Sequence, residues 1–387
     1  MKVLFINTVF GKGSTGKIVQ DIGEVLEKNG HEYRAVYGRK PFVKDKHAYY
    51  MGSTFDSYIH AGLSRITDKT GFYSVENTKK AIKYIKDYNP DVIHLHNLHG
   101  YYINIELLFD YLKNDFKGKV IWTLHDCWAF TGHCVHYTYV KCERWKSSCY
   151  KCIEKKRYPS SYIFDNSKKN YQKKRRIFTG HPNLTIVTPS KWLEKQVKQS
   201  FLKEYPSIVI NNGIDLDVFK PNNYLKKNGT IINICDGLDL RKGYKDLIKI
   251  SNEVAEKYKM VIVGIKEEEK KYLPDTITAI ERTSNQKELV EYYCKADYLI
   301  NTTYEDTFPT VNLEAIACGI PVITYDAGGS PEIIDENTGY VVSVGDTEAI
   351  KRILLQDMTI SSDSCVEIAK KFNKWDKYQE YIDLYLE

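Results

Sequence analysis

The sequence predicts two doubly wound α/β domains, because short runs of β-branched and aliphatic residues alternate with helical patterns along both halves of the chain. A chain of 387 residues is long enough for two domains that each bury a core. Its 42% hydrophobic and 27% charged residues are ordinary globular values, which exclude a largely disordered, collagenous or coiled-coil protein.

The first domain is predicted over 1–212. It begins with a strand over 3–9 and a helix over 17–29, in which Ile18, Ile22, Val25 and Leu26 recur at helical spacing. Further strands are predicted over 33–37, 92–95, 120–124, 184–188 and 208–211, with a helix over 78–88. Strands that alternate with helices indicate a parallel sheet.

The second domain is predicted over 213–374, after turn-forming residues over 221–229 that indicate a linker. Its strands are predicted over 230–235, 260–264, 298–301 and 322–325, and its helices over 244–257, 286–294 and 311–318. A closing helix over 375–387 is expected to pack back on the first domain. Because parallel sheets bind ligands outside the carboxyl ends of their strands, the two domains are expected to face a cleft.

The charge and the hydropathy pattern predict a cytoplasmic protein. Lys and Arg number 56 against 50 Asp and Glu, and the resulting net charge of +6 suits an anionic ligand or membrane surface without proving either. The first apolar run, over 3–10, is too short for a signal peptide and lacks a cleavage site. No run approaches the roughly 18 apolar residues of a membrane-spanning helix.

A glycine-rich loop, Gly-Lys-Gly-Ser-Thr-Gly over 11–16, lies between the first strand and the first helix. Its G-x-G-x-x-G spacing allows a dinucleotide site, although Gly11 lies well past the apolar run of the strand. Ile18 stands where a Walker motif needs Ser or Thr, which excludes that ATPase interpretation. A flexible loop around Gly13 that approaches a ligand at a helix N-terminus and a simple turn both remain open.

Six of the ten histidines lie between His94 and His136. For any one of them a structural hydrogen bond is the better interpretation. His125 is the exception, because it closes a strand at the edge where a doubly wound sheet presents its ligand face.

Four cysteines, Cys134, Cys142, Cys149 and Cys152, are spaced as candidate ligands of a structural zinc ion. They lie in a Cys-rich insertion over 127–152 in which Cys127, His133 and His136 are further candidates. Free thiols are the equal alternative, because the first two intervals are irregular for a zinc ribbon. Four protein ligands would close the coordination shell, so a catalytic metal is not expected.

The segment over 304–322 carries the strongest functional pattern. A strand ends at Glu305 and Asp306, and a helix begins near Thr310 and Val311, whose free N–H groups can hold a phosphate. Glu314, one turn into that helix, can accept hydrogen bonds from both hydroxyls of a ribose. The structural alternative is that acidic residues at a helix start merely interact favourably with the helix dipole. That alternative explains one carboxylate, but not two that lie on either side of a space the size of a phosphate.

This segment is similar to the E-x7-E signature of retaining glycosyltransferases of family 4, here with Asp306 in the first position and Glu314 in the second. Further matches cover the second domain nearly end to end: N-N-G-I-D over 211–215, F-K-P over 219–221, R-K-G over 241–243, K-A-D over 295–297 and G-G-S-P-E over 328–332. The resemblance implies the GT-B fold, two Rossmann-like domains with a nucleotide sugar between them.

The resemblance also implies roles for individual residues. The family holds the donor pyrophosphate with an Arg and a Lys; this chain keeps Lys242 but has Gly237 at the Arg position, where Arg241 would substitute. The loop with Gly13 would face the donor, and His125 would contact the transferred sugar.

Asp306, preceded by Glu305, would hold sugar hydroxyls, and Glu314 would bind the ribose. The chemistry would be stabilisation of the leaving phosphate, with no cofactor and no metal required.

The predicted activity is retaining transfer of a sugar from a nucleoside diphosphate sugar, UDP first, to an acceptor hydroxyl. The resemblance implies a lipid-linked glycan of capsule, exopolysaccharide or O-antigen synthesis as acceptor, at the inner face of the plasma membrane. The two alternatives are an NAD(P)-dependent oxidoreductase that uses the loop over 11–16 and a zinc-stabilised binding module.

A basic segment over 151–176 holds ten Lys and Arg residues and two acids, so the rest of the chain is slightly acidic. Tyr158, Tyr162, Ile163 and Phe164 are interleaved with these charges. We expect peripheral contact with an anionic membrane here, with a solvated helix face as the alternative. Nucleic acid is not an expected partner, because no nucleic-acid-reading motif accompanies the charge.

Overall fold

The computed structural model describes residues 1–40, 44–222, 228–356 and 360–387. The chain divides into two compact units, one of Met1–Asn211 with Lys377–Glu387 and the other of Asn212–Asp376. Most of the predicted linker over 221–229 lies outside the described residues. Each unit is a parallel sheet with helices, as the alternating sequence pattern predicts.

The first unit contains a seven-stranded sheet in the order β3-β2-β1-β4-β5-β6-β7. All its strand pairs are parallel. Its strands are β1 (Lys2–Asn7), β2 (Glu32–Tyr37), β3 (Ala48–Tyr50), β4 (Val92–Leu95), β5 (Lys119–Thr123), β6 (Leu184–Thr188) and β7 (Ser207–Val209). Its helices are α1 (Gly13–Lys28), α2 (Thr54–Thr67), α3 (Val75–Tyr88), α4 (Ile105–Asn114), α5 (Ser167–Phe178) and α6 (Lys191–Lys198).

The second unit contains a six-stranded parallel sheet in the order β10-β9-β8-β11-β12-β13. Its strands are β8 (Thr230–Ile234), β9 (Lys259–Val263), β10 (Ile277–Ile280), β11 (Tyr298–Asn301), β12 (Val322–Tyr325) and β13 (Gly339–Val342). Its helices are α7 (Tyr244–Glu253), α8 (Glu267–Lys270), α9 (Gln286–Lys295), α10 (Thr310–Ala317), α11 (Thr347–Leu355) and α12 (Ser362–Lys370).

In both sheets the strand order reverses at the centre, between β1 and β4 and between β8 and β11. Ligands of doubly wound sheets bind at such a switch point, outside the carboxyl ends of the strands. The central strands are almost entirely buried, since both of their faces are covered by helices.

The closing helix, α13 (Lys374–Leu386), packs on the first sheet through its tyrosines. The Tyr385 hydroxyl lies 2.6 Å from Nδ1 of His94, and the Tyr381 hydroxyl lies 3.1 Å from Oγ1 of Thr123. Both tyrosines are buried. The helix thus supplies polar partners to side chains on the central strands β4 and β5.

Not all of the predicted basic segment is a charged surface. Lys174 on α5 is 1% exposed, and its Nζ donates to the carbonyl oxygens of Trp128 at 2.6 Å and Thr131 at 3.1 Å. Its neighbour Lys173 forms an ion pair of 2.7 Å with Glu106. The expectation that Lys174 belongs to an exposed basic surface is therefore wrong, because a linear sequence pattern does not show which side of a helix faces the core.

We predict that Lys174→Ala lowers the free energy of unfolding by roughly 2–4 kcal/mol, because two buried carbonyl groups lose their hydrogen-bond donor. Lys168→Ala removes an exposed lysine from the same helix and should change that free energy by less than about 0.5 kcal/mol. Urea unfolding of the two variants measures the difference. Equal free energies of unfolding for the two variants would show that the buried amino group of Lys174 does not support the fold.

Candidate functional site

The predicted donor-binding residues of the second unit follow two neighbouring strands, β8 and β11. After β8 the chain forms a short 3-10 helix, Leu240–Lys242, that packs against the end of β11. The Tyr304 N–H donates to the Arg241 carbonyl oxygen at 2.7 Å, and Oγ1 of Thr302 donates to the Lys242 carbonyl oxygen at 3.1 Å. These backbone contacts bring two cationic side chains to the acids that follow β11.

Two ion pairs connect these segments. Lys242 Nζ lies 2.8 Å from Asp306 Oδ2, and Arg241 Nη1 lies 3.3 Å from Glu305 Oε1. A second carboxylate, Asp239, holds the same guanidinium, with Nη2 of Arg241 2.7 Å from its Oδ2. Lys242 is the more exposed of the two cations, with 43% of its side chain accessible against 20% for Arg241. It is therefore the cation better able to reach a ligand.

Helix α10 begins next to these pairs with an open N-terminus. Pro309 at its N-cap provides no side-chain hydrogen bond, and its first turn contains no acidic residue. Within the described part of the chain, no acceptor is recorded for the backbone N–H groups of Thr310 and Val311. Such N–H groups and the helix dipole favour an anion at this point.

Glu314 is partly buried in the first turns of α10. Burial raises its pKa to about 7, although the hydrogen bond from the Tyr293 hydroxyl, 2.8 Å from Oε2, acts in the opposite direction. The carboxyl group is therefore held in one orientation and is about half ionised at neutral pH. Asp306 thus lies in the loop that leads into α10, and Glu314 lies within that helix.

In the first unit, the glycine-rich loop forms the entry to α1. Gly11 and Gly13 adopt φ of +66° and +65°, and the Gly11 N–H donates to the Gly16 carbonyl oxygen at 2.9 Å. The N-cap of α1 has no side-chain hydrogen bond, and its first turn has no acid. A Cβ built on Gly13 would meet nothing within 4 Å. The loop therefore presents bare backbone at a helix N-terminus.

His125 follows β5 and stacks on His96, which follows β4. Nε2 of His125 lies 2.9 Å from Nδ1 of His96, and the ring planes differ by 11°. Burial lowers the pKa of His125 to about 4, so its ring is neutral at pH 7. One ring nitrogen is thereby engaged by His96, which fixes the orientation of the imidazole.

Next to His125, Asp126 is paired with another histidine of the same sheet edge: Nε2 of His99 lies 2.6 Å from Oδ2 of Asp126. The charge of His99 and its hydrogen bond outweigh burial and lower the pKa of Asp126 to about 2. The histidine-rich edge therefore contains one firmly ionised carboxylate beside a neutral His125.

The predicted zinc site receives no support from the geometry. Across the described ranges, no group of three or more His, Cys, Asp or Glu side chains is arranged to hold a metal ion. The thiols of Cys134 and Cys152 are hydrogen-bonded to each other, and burial raises the pKa of Cys149 to about 12. Cys142 and Cys152 are the partly exposed members of the set.

Two residues of the second site were missed from the sequence. Asp239 lies two positions before Arg241, and that spacing is a signal for a turn in which the carboxylate accepts from the Arg241 N–H. Tyr293 lies on α9, 21 positions before Glu314, and no local pattern connects them.

Comparison with known families divides the chain near the same place as the structure. Residues 15–218 match the family model described as Glycosyltransferase Family 4. Residues 216–375 match the model described as Glycosyl transferases group 1. Between them the two matches include all the candidate residues except Gly13.

Two relatives align with most of the chain. A putative colanic acid biosynthesis glycosyl transferase, WcaC, of Escherichia coli strain K12 is 24% identical over 371 residues, covering 89% of this chain and 87% of that protein. An uncharacterized 41.2 kDa protein in the cps region of Klebsiella pneumoniae is 26% identical, covering 97% and 96%.

Solved structures share the fold of the whole chain. Sucrose-phosphate synthase from Thermosynechococcus elongatus has a TM-score of 0.74 at 18% identity, covering 99% of this chain and 98% of that one. Anabaena Alr3699/HepE in complex with UDP-glucose has a TM-score of 0.66 at 13% identity, covering 99% of both. At these identities the likeness shows the fold alone, which is the predicted GT-B fold.

We predict that Gly243→Ala disrupts the loop after β8 that carries Arg241 and Lys242. Gly243 has φ of +73°, and a Cβ there would lie 2.2 Å from the Thr302 carbonyl oxygen. Gly180→Ala is the matched control, with φ of +77° but nothing within 4 Å of the added Cβ. The control should cost about 1 kcal/mol from backbone strain, and Gly243→Ala at least about 1 kcal/mol more. Calorimetric unfolding compares them, and equal costs would contradict the close approach of this loop to β11.

Proposed function

Because the chain belongs to glycosyltransferase family 4, we propose that it transfers a sugar from a UDP-sugar to an acceptor hydroxyl with retention of anomeric configuration. Membership of the family selects glycosyltransfer over the oxidoreductase and binding-module alternatives. The observation that carries the proposal is the grouping of Lys242, Arg241, the α10 N-terminus and Glu314 at one edge of the second sheet.

In this proposal the second unit binds the nucleoside diphosphate part of the donor. Lys242 and Arg241 neutralise the pyrophosphate, and the N–H groups of Thr310 and Val311 donate to its oxygens. Glu314 accepts from both ribose hydroxyls. The hydrogen bond from Tyr293 supports this role, because it uses one carboxylate oxygen and fixes the direction of the other lone pairs.

The chemical step in this proposal is departure of the nucleoside diphosphate. As the bond between the anomeric carbon and the phosphate oxygen breaks, negative charge grows on the β-phosphate. Preorganised cations and amides stabilise that charge more than they stabilise the bound donor, which lowers the barrier. The acceptor oxygen attacks the anomeric carbon from the face that the leaving group vacates, and its proton passes to the departing phosphate oxygen. Attack from that face gives retention.

Asp306 and His125 are proposed to position the transferred sugar, with Glu305 supporting Arg241. Asp306 already accepts from Lys242 Nζ at 2.8 Å, so the same carboxylate can receive sugar hydroxyls while it orients the cation. His125 is neutral at pH 7 and acts as a hydrogen-bonding group rather than as a charge. The loop of Gly13 provides open backbone for the donor.

The proposed acceptor is a lipid-linked glycan of capsule, exopolysaccharide or O-antigen synthesis, used at the cytoplasmic face of the plasma membrane. The names of two relatives, one in colanic acid biosynthesis and one in a cps region, support this class. Within the described residues, no helix is both long and apolar enough to cross a bilayer. Contact with the membrane is proposed to be peripheral, through the segment that contains Tyr162, Ile163 and Phe164.

We predict that UDP-glucose binds about tenfold more tightly at pH 8 than at pH 6, because a carboxyl group of pKa about 7 is mostly protonated at the lower pH. The phosphates of a nucleotide sugar do not titrate in this range. Glu314→Gln should weaken binding at pH 8 by about 1.5–3 kcal/mol and abolish the pH dependence. Isothermal titration measures both effects.

Glu256→Gln is the control, since it neutralises an exposed carboxylate elsewhere in the second unit. It should leave both the affinity and its pH dependence unchanged. A Glu314→Gln variant with the wild-type affinity at pH 8 would remove Glu314 from the donor site.

We also predict that the chain binds anionic vesicles and that added salt weakens this binding, because the screening length falls to about 3 Å at 1 M salt. The variant Lys168→Ser/Lys169→Ser/Arg175→Ser removes exposed charges of α5 and should reduce binding, at about 1 kcal/mol for each charge near the surface. Lys287→Ser/Arg352→Ser/Lys371→Ser removes the same charge from exposed positions of the second unit. Equal losses in the two variants would assign the effect to net charge alone.

A further inference from the structure

Helix α2 exposes its apolar residues and buries its polar ones. Its buried residues are His60 and Ser64, at 1% and 0% exposure. Its exposed apolar residues are Phe55 at 75%, Tyr58 at 73%, Ile66 at 43%, Ile59 at 44% and Leu63 at 39%. A surface helix of a water-soluble domain usually has the opposite arrangement, with its apolar stripe towards the core. The outward face of α2 therefore suits an apolar environment.

Polar contacts fix α2 in this orientation. Nδ1 of His60 lies 2.8 Å from Oγ of Ser74, and Nε2 accepts from the Gly71 N–H at 3.2 Å. Burial lowers the pKa of His60 to about 3, so this ring is neutral. Ser53 caps the helix by accepting from the Asp56 N–H at 3.0 Å. Both nitrogens of the buried imidazole are satisfied, which holds the apolar residues outward.

A second segment extends the exposed apolar surface. The Tyr162 N–H donates to the Arg65 carbonyl oxygen at 2.7 Å, and the Phe164 N–H donates to the Ile66 carbonyl oxygen at 3.0 Å. The side chains of Tyr162, Ile163 and Phe164 are 60%, 61% and 57% exposed. We call these three residues and the five of α2 the apolar face. Eight large apolar side chains in one area exceed the scattered exposure that is normal for soluble proteins.

A basic pocket of about 180 Å³ lies along the next face of α2. Its lining includes Arg39, Lys40, Arg65, Tyr50, Ser57 and Tyr101, and it contains no carboxylate. Among the residues that the structure describes, neither Arg39 nor Arg65 forms an ion pair with an acid. Guanidinium groups match phosphate oxygens in a bidentate geometry, so two of them beside hydroxyl groups are suited to a phosphate or pyrophosphate.

Arg39, Arg65 and Tyr101 all line this pocket. Burial raises the pKa of Tyr101, while the positive charges of Arg65 and Arg39 both act to lower it. Tyr101 has φ of +65° and follows Gly100, at φ of +113°, shortly after β4. The pocket thus adjoins the carboxyl edge of the first sheet.

Tyr158 connects the pocket to the candidate catalytic edge. Its hydroxyl lies 3.0 Å from Nδ1 of His99 and hydrogen-bonds with the Arg39 side chain. His99 in turn pairs with Asp126, the neighbour of His125. A group bound in the pocket would therefore lie close to the edge where His125 is proposed to act.

We propose that the basic pocket binds the pyrophosphate of a polyprenyl-linked acceptor while the apolar face rests in the membrane that holds the polyprenyl chain. This inference rests on the proposed function and specifies its acceptor. Apolar side chains that lie beside two arginines of a pocket lined by no carboxylate match a molecule with an anionic head and a hydrocarbon tail. The apolar face and the basic pocket lie on adjacent faces of α2, which is the arrangement that a lipid with an anionic head would need.

The test is flotation with vesicles of phosphatidylcholine that contain farnesyl pyrophosphate, compared with vesicles of equal surface charge that contain phosphatidylglycerol. The full chain should prefer the pyrophosphate vesicles. Arg39→Gln/Arg65→Gln should abolish that preference, with a loss of about tenfold or more for each charged contact. Phe55→Ser/Phe164→Ser should reduce retention on both kinds of vesicle, whereas Arg352→Gln, an exposed arginine of the second unit, should change neither.

Equal retention at equal charge, or a preference that survives Arg39→Gln/Arg65→Gln, would overturn the proposal. Arginine-dependent binding of inorganic pyrophosphate that a lipid tail does not strengthen would assign the pocket to a free anion and also overturn it. UDP-glucose affinity is measured on every variant and should be unchanged. If the wild-type chain does not bind UDP-glucose, the proposed function is refuted instead, so the two failures are distinguishable.

Discussion

The proposed donor site of the second unit depends on the ion pairs between the loop after β8 and the loop after β11. Lys242 with Asp306 and Arg241 with Glu305 join two segments that are far apart in sequence but adjacent at the switch point of the sheet. Without a donor, carboxylates neutralise the cations and keep them in place. A pyrophosphate with its greater charge can compete for the same cations, so the site is preorganised at little cost in side-chain entropy.

At the carboxyl edge of the first sheet, the residue proposed to position the sugar is neutral rather than charged. Stacking and a hydrogen bond to His96 orient a neutral His125, while the loop of Gly13 offers backbone N–H groups. Helix α2 and the basic pocket lie on the same unit and are the proposed site for an amphiphilic acceptor. In the proposal, this unit therefore both positions the transferred sugar and binds the anionic head of a lipid.

Sequence periodicity and spacing predicted the parallel sheets, because buried strands and amphipathic helices have local patterns. The D-x7-E spacing made Asp306 and Glu314 candidates for the site, because a strand end and the following helix start are close in sequence. Partners that are distant in sequence were not predictable. Tyr293 reaches Glu314 from another helix, and the burial of Lys174 depends on carbonyl groups over 40 positions away. The inverted helix α2 was also missed, since its apolar residues resemble an ordinary core stripe.

The central claim is that the second unit holds the nucleotide diphosphate between Lys242, the α10 N-terminus and Glu314. A crystal structure with UDP bound tests it most directly. The account predicts Lys242 Nζ and the Thr310 and Val311 N–H groups within about 3.2 Å of phosphate oxygens, and both ribose hydroxyls on the Glu314 carboxylate. A nucleotide bound elsewhere, with Lys242 still paired to Asp306 and Glu314 still free of the ribose, would contradict it.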